Sequence, residues 1–346
     1  MIGYSTHPWM SGLFGDDETT ALFTPEAELK RFLAVEAAWT RALGSVSGDP
    51  KAEAVAQIIE TAQIAPTALK DGFAKDGVPI PALVALLKGM IGDDNSGLVH
   101  KGLTSQDVMD TSLMLALSEV TSMMATRLAE IDRLLADVQT TYSDARLMAY
   151  TRMQPALETT GAEVVGRWRQ PLSRLQTDLG AAGHDVRVIQ WGGPIGVRDH
   201  PKADQLAQAF ATNLGLRDPA GAWHTDRTII NNLTHILTRI ATATGKIGAD
   251  IALMAAVGPS QIKLTGGGSS AMAHKNNPVK AEVLISLASY AATLQANLTN
   301  AACHEGFRSG QAWTVEWIAL PQLCAVAGAG LRQAQMLLQS IDTLGE

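Results

Sequence analysis

Downstream of Thr104, apolar side chains recur every three or four residues: Met109, Leu113, Leu117, Val120, Met124, Leu128, Ile131, Leu135 and Val138. That spacing lines one face of a helix, and the stripe runs for about eight turns, or roughly 45 Å at 1.5 Å per residue. A small globule has no use for so long a helix; a long-helix bundle does. A second stripe follows through Ile229, Leu233, Ile236, Ile240, Ala243, Ile247, Ile251 and Met254, and stops at the breaker pair Gly258-Pro259. The same reading predicts a helix between Pro155 and Gly183 carrying Val164, Val165, Trp168, Leu172 and Leu175. Two more are predicted from about Val279 to Ala302 and from about Leu320 to Ile341. Shorter helices fill the front, with Pro25 and Pro66 placed as first-turn prolines. The expected fold is all-α, with an N-terminal helical lobe over residues 1–100 and a long-helix bundle over residues 101–346. Long helices that are apolar on more than one side associate with copies of themselves, so an oligomer is expected.

Composition narrows the function. Apolar residues make up 46% of the 346, enough for a sizeable core and too many for a disordered chain. The 27 Lys+Arg against 34 Asp+Glu give a net charge of −7, which argues against nonspecific nucleic-acid binding yet leaves room for a local anion site. Cys303 and Cys324 cannot build a disulfide framework and read as reduced thiols without metal-type spacing. No basic start followed by an apolar run opens the chain, and no stretch of about 18 consecutive apolar residues occurs. A cytoplasmic protein without a membrane span is expected.

Three segments interrupt the helical pattern with polar, turn-forming residues. The first, His100-Lys101-Gly102-Leu103-Thr104-Ser105-Gln106-Asp107, directly precedes the longest stripe. Thr104 and Ser105 stand where an N-cap belongs and Asp107 falls in the first turn, which is both a capping arrangement and a place for a carboxylate ligand. The second, Thr151-Arg152-Met153-Gln154-Pro155-Ala156-Leu157-Glu158-Thr159-Thr160, sets hydroxyls, an amide and a cation ahead of the next helix. The third, Gly266-Gly267-Gly268-Ser269-Ser270-Ala271-Met272-Ala273-His274-Lys275-Asn276-Asn277-Pro278, combines three glycines with a concentration of different donors. It lacks the Gly-x4-Gly-Lys-Ser/Thr spacing of a phosphate loop and reads as a mobile lid over an anionic substrate.

The third segment resembles the Gly-Ser-Ser-x-Met-Pro-x-Lys-x-Asn-Pro signature of the fumarase/aspartase superfamily, with Ala273 in place of the Pro. The Thr-Ser-x-Asp and Thr-x-x-Gln-x-Ala-Leu elements fall in the order that superfamily has them. Within it, His100 to Thr111, Trp223-His224-Thr225-Asp226-Arg227 and Trp313-Thr314-Val315-Glu316-Trp317-Ile318-Ala319-Leu320-Pro321 are similar to the 3-carboxy-cis,cis-muconate cycloisomerase family. The lyases carry a His, their proposed general acid, where this chain has Arg152; the cycloisomerases usually have Trp there. The resemblance implies lactonisation of 3-carboxy-cis,cis-muconate in the protocatechuate branch of the β-ketoadipate pathway, with no cofactor and no metal. It implies Ser269 as the proton-transferring group and Lys275 and Asn277 as the other catalytic residues. His100, Thr104, Ser105, Thr151, Arg152, Gln154, Ser270, Met272, His224 and Arg227 would meet a small polycarboxylate. It further implies a homotetramer whose sites each draw segments from three subunits, and a small C-terminal helical domain that is truncated or absent. His100 could equally orient the Thr104 loop, and His224 and Arg227 could be a helix-start cap and a surface charge. The competing readings are an adenylosuccinate lyase-like C–N lyase and a helical-bundle relative without activity. The first needs nucleotide contacts, and the second has no need of a reactive loop.

Overall fold

The computed structural model describes residues 7–268, 272 and 275–346. Two short helices, α1 (Ser11–Phe14) and α2 (Asp17–Ala21), lead into α3 (Pro25–Ser47). The Thr24 side chain accepts from Ala27 N–H at 3.3 Å and Pro25 opens α3, so this helix starts on a side-chain cap and a first-turn proline. Then come α4 (Ala52–Glu60), α5 (Lys70–Asp76), α6 (Ile80–Ile91) and the longest helix, α7 (Ser105–Thr141). After a β-hairpin of β1 (Arg146–Thr151) and β2 (Gln154–Thr160), the chain forms α8 (Gly161–Asp185), α9 (Ala203–Leu214), α10 (Thr228–Val257), β3 (Ile262–Leu264), α11 (Val279–Ala301), α12 (Gly310–Leu338) and β4 (Ile341–Leu344).

The expected stripes feed one core. Leu117, Val120, Met124 and Leu128 of α7 and Leu233, Leu237, Ile240 and Ile247 of α10 belong to the same buried cluster, α7 packing on α8 and α12 and α10 on α8, α11 and α12. Small residues let α10 and α11 approach closely: a Cβ on Gly248 would come within 2.5 Å of the Ala281 carbonyl oxygen. A second core joins α3, α4 and α6 with Ile189, Trp191 and the apolar face of α9. Both α10 and α12 are long and apolar enough to cross a bilayer. Each instead buries its apolar face against neighbouring helices, as core helices do.

Three details depart from the sequence reading. Residues 155–160 are strand, and α8 begins only at Gly161, capped by Thr160 Oγ1 accepting from Glu163 N–H at 3.3 Å. The last helix begins at Gly310 on a Ser309 cap, ten residues before the expected start, and carries Pro321 inside it. It ends at Leu338, and 341–344 pair as β4 with β3. The fold is nonetheless helical throughout its core. The 37 residues of α7 separate Thr104 from the hairpin by about 55 Å. The chain then returns along α10, whose preceding residue Arg227 meets Asp110 near the start of α7. Its far end, at Met254, lines a cavity of about 300 Å³ with Tyr150 and Thr151 of the hairpin.

Candidate active site

The first polar segment is built around Asp107, whose carboxylate is fully buried and accepts four N–H donors. Thr104 N–H donates to Oδ2 at 2.9 Å, Gly193 N–H to Oδ2 at 3.0 Å, Gly192 N–H to Oδ1 at 2.9 Å and His224 Nε2 to Oδ1 at 2.8 Å. Burial pushes this carboxyl up, opposed by His224 and the backbone donors. Because Asp107 only accepts, Nε2 of His224 carries the proton. The other ring nitrogen, Nδ1, is buried and has no partner among the described residues. Thr104 is the N-cap of α7 and Ser105 its first residue; both are half-buried, at the accessible end of the helix dipole. His100 takes a left-handed backbone conformation (φ 57°) and holds Nδ1 2.6 Å from Oε1 of the buried Glu36, which fixes its ring.

One turn deeper lies a fully enclosed ionic network. Arg227 donates from Nη1 to Asp110 Oδ2 at 2.7 Å and from Nη2 to Asp110 Oδ1 at 3.0 Å. It also donates from Nε to Glu316 Oε2 at 3.0 Å and from Nη2 to Glu316 Oε1 at 2.5 Å. Its guanidinium lies 4.9 Å from the centre of the Trp223 ring. Asp110 accepts further from Gln106, Gln190 and Trp313 Nε1. The two carboxylates hold the Arg227 guanidinium well above its ordinary value, whereas burial pushes the Glu316 carboxyl up. Arg227 stands at the N-cap position of α10 without a side-chain cap bond, and neither it nor His224 is a surface charge. They are buried to 4% and 2% exposure with their donors taken by α7 and α12, and they brace the segment from beneath.

The second segment forms the tip of the β1–β2 hairpin. Thr151 pairs with Gln154, and Arg152 and Met153 make a two-residue turn with φ of 49° and 66°. Two positive φ values mark a primed hairpin turn, here made without glycine and therefore strained. Thr151, Arg152, Met153 and Gln154 are all exposed. The third segment leaves β3 and returns at Pro278. Its neck is closed by Asn277 N–H donating to Gly267 O at 2.7 Å and by the pairing of Gly268 with Asn276. Lys275 N–H donates to Met272 O, and both side chains reach the surface. Ser269 and Ser270, like His274, lie outside the described residues.

The second and third segments thus share one end of the bundle, and the first occupies the other. Within one chain they do not meet. Beside the first segment a cavity of about 730 Å³ opens between Trp39, Gly102, Trp191 and Gly193, with Lys101, His200 and Lys202 on its wall. Sequence reasoning missed the partners that organise this end. Asp110 and Glu316 stood inside the quoted motifs without a role, Asp107 was read only as a first-turn capping acid, and Gln190 carried no signal. Arg308 was also missed: half-buried, it donates from Nε to Gln106 Oε1 at 2.8 Å and turns the rest of its guanidinium toward Pro194 at the mouth of α7.

A family model described as "Lyase" matches residues 15–292. The chain belongs to this lyase family of the fumarase/aspartase superfamily. Among curated relatives, a 3-carboxy-cis,cis-muconate cycloisomerase of Pseudomonas aeruginosa is 33% identical, over 93% of this chain and 72% of its own. A protein of the same name from Pseudomonas putida is 30% identical over 98% and 81%. The crystal structure of 3-carboxy-cis,cis-muconate lactonizing enzyme from Pseudomonas putida superposes with a TM-score of 0.90 at 29% identity, covering 97% of this chain and 77% of that one. The all-α long-helix architecture expected from the sequence is the fold of this family.

Proposed function

We infer that the chain is an intramolecular lyase that closes 3-carboxy-cis,cis-muconate to carboxymuconolactone, within aromatic catabolism in the cytoplasm. What carries this reading is the 33% identity to the Pseudomonas aeruginosa cycloisomerase over 93% of the chain. In the reaction one substrate carboxylate oxygen adds to a carbon–carbon double bond, and a proton is delivered to the neighbouring carbon, next to another carboxylate. Ser269 is the residue assigned to that proton transfer, with Lys275 and Asn277 holding carboxylate oxygens as negative charge builds. Thr104, Ser105, Thr151 and Gln154 anchor the remaining carboxylates, and Arg308 adds a cation at the mouth of α7. In the reverse direction the leaving group is itself a carboxylate and needs little acid help. An arginine at position 152 then supplies charge balance where a C–N lyase uses an imidazole. No cofactor enters this chemistry.

Because the first segment lies at the opposite end of the bundle from the other two, roughly 45–55 Å away along α7 and α10, the reading requires copies to share sites. A homotetramer that draws each site from three chains satisfies that requirement. The direct test is spectroscopic: purified protein mixed with 3-carboxy-cis,cis-muconate should abolish the conjugated-diene absorption as the lactone forms. A folded, oligomeric protein that leaves the absorption unchanged, or that instead releases AMP from adenylosuccinate, refutes the reading.

A further inference from the structure

On the side of α7 facing α3, an open cavity of about 410 Å³ is bordered by α3, α5 and the start of α12. Phe23, Phe73 and Trp317 form its walls, and the Phe73 and Trp317 rings stand 6.5 Å apart with Phe73 44% exposed. Glu28, Arg31 and Lys70 also line it, the first two lying three residues apart on one face of α3 and Lys70 opening α5. Arg31 is half-buried, and Nε donates to Ser112 Oγ at 3.3 Å. Among the described residues no carboxylate oxygen lies within 4.0 Å of its guanidinium, and the Glu28 carboxylate makes no hydrogen bond. Burial pulls the Arg31 guanidinium down, offset by Glu28 and Glu119 acting at a distance.

On α3, two opposite charges with unspent hydrogen-bonding capacity therefore flank an aromatic slot, with Lys70 of α5 a second cation on its wall. A ligand carrying only a carboxylate gains Arg31 and meets Glu28; one carrying only an ammonium gains Glu28 and meets Arg31. A zwitterion satisfies both, and aromatic walls favour a planar ring. We propose that this cavity binds an aromatic α-amino acid, its carboxylate on Arg31, its ammonium on Glu28 and its ring packed against Phe73 beside Trp317. The cavity is separate from the three polar segments but touches their foundation. Met109 on its wall lies one turn past Ser105, and Trp317 adjoins the buried Glu316.

Calorimetric titration of the full chain with L-phenylalanine, 3-phenylpropionate and phenethylamine tests the assignment without reference to turnover. Phenylalanine should bind, and each single-charge analogue should bind about tenfold more weakly or worse, since each lacks one charge-assisted hydrogen bond. Arg31→Met and Phe73→Ala should each weaken phenylalanine by a similar factor. Glu28→Gln, at the exposed rim, should bring 3-phenylpropionate level with phenylalanine, and it keeps the test open if Arg31→Met lowers stability. No heat with phenylalanine at millimolar concentration, equal binding of all three compounds, or binding indifferent to Glu28→Gln overturns the proposal.

Discussion

Replacing Arg227 by Met removes the one cation from a buried site that holds two carboxylates. Both Asp110 and Glu316 are 1–2% exposed, so solvent cannot take over the role of the guanidinium. At separations near 4 Å and an effective dielectric of 20, each ion pair is worth about 4 kcal/mol gross, so roughly 8 kcal/mol of attraction disappears. Part of that is returned because the guanidinium no longer has to be desolvated, and removing one partner of a buried pair costs about 3–5 kcal/mol net. For a chain of 346 residues, that net cost lowers the melting temperature by about 4–7 °C. The sign with pH follows from Glu316, whose carboxyl burial already pushes up and which loses with Arg227 the cation that opposes that shift. Protonation then favours the folded state, and the penalty is largest at pH 8 and shrinks toward pH 5. Thermal melts of parent and variant at one fixed protein concentration from pH 5 to 8 measure it. The triple variant Arg227→Met/Asp110→Asn/Glu316→Gln should recover at least half of the loss. A single variant that melts within about 2 °C of the parent at pH 8, or whose penalty grows on acidification, refutes the network as a stabilising frame.

Ser269→Ala should lower turnover of 3-carboxy-cis,cis-muconate by at least about 100-fold, the scale of losing an acid–base group, with unchanged circular dichroism; near-parental turnover removes Ser269 from the mechanism. Mixing that inactive variant with an inactive Thr104→Ala/Ser105→Ala protein should restore partial activity after subunit exchange, and mixed oligomers that stay inactive contradict shared sites. Gly267→Ala should cut turnover while sparing the melting temperature, because Gly267 has φ 83° and an added Cβ would lie 2.1 Å from Asn277 O at the neck of the loop; unchanged kinetics would show the neck is not needed. Among the described residues the two buried ring nitrogens of His304 have no well-formed hydrogen bond, and burial together with Arg227, against Asp110, Glu305 and the Ala301 backbone, pulls its pKa below the ordinary value. Its contribution to stability is present above the ordinary histidine pKa and lost as pH falls through the lowered one, so His304→Gln should flatten the acid side of the melting profile; a steeper acid limb in the variant is the opposing result.

The helices that sequence made legible are those whose periodicity reports burial on a single partner face. Met109 to Val138 could be read as one helix because nearly every third or fourth residue contacts the core. The hairpin was not legible, since β2 is exposed along most of its length within one chain and no glycine marks its turn. Without a buried face, there is no alternation to see. The start of α12 was placed ten residues late: the helix begins at Gly310 and runs through Pro321 with tertiary packing on Leu320 and Leu323. At the candidate site the motif residues were visible and their partners were not. Arg227 is separated from Asp110 by 117 positions and from Glu316 by 89, and no local pattern encodes such a meeting.

The last residues of the chain tie separate parts of the molecule together. Glu346 exchanges both backbone hydrogen bonds with Arg146 at the root of the hairpin, and Gly345 N–H donates to Gln261 O just before β3. Thr265 N–H donates to Ser340 O at the root of the glycine-rich loop, and Tyr142 Oη donates to Asp342 O. The hairpin tip and the loop are thus two levers on one fulcrum. The root of the hairpin and the neck of the loop therefore share one hydrogen-bonded anchor, while the first segment is braced by its own ionic network at the opposite end. Cutting the chain before Ile341 would loosen two of the three chemical segments in a single stroke and leave the helices of the bundle standing.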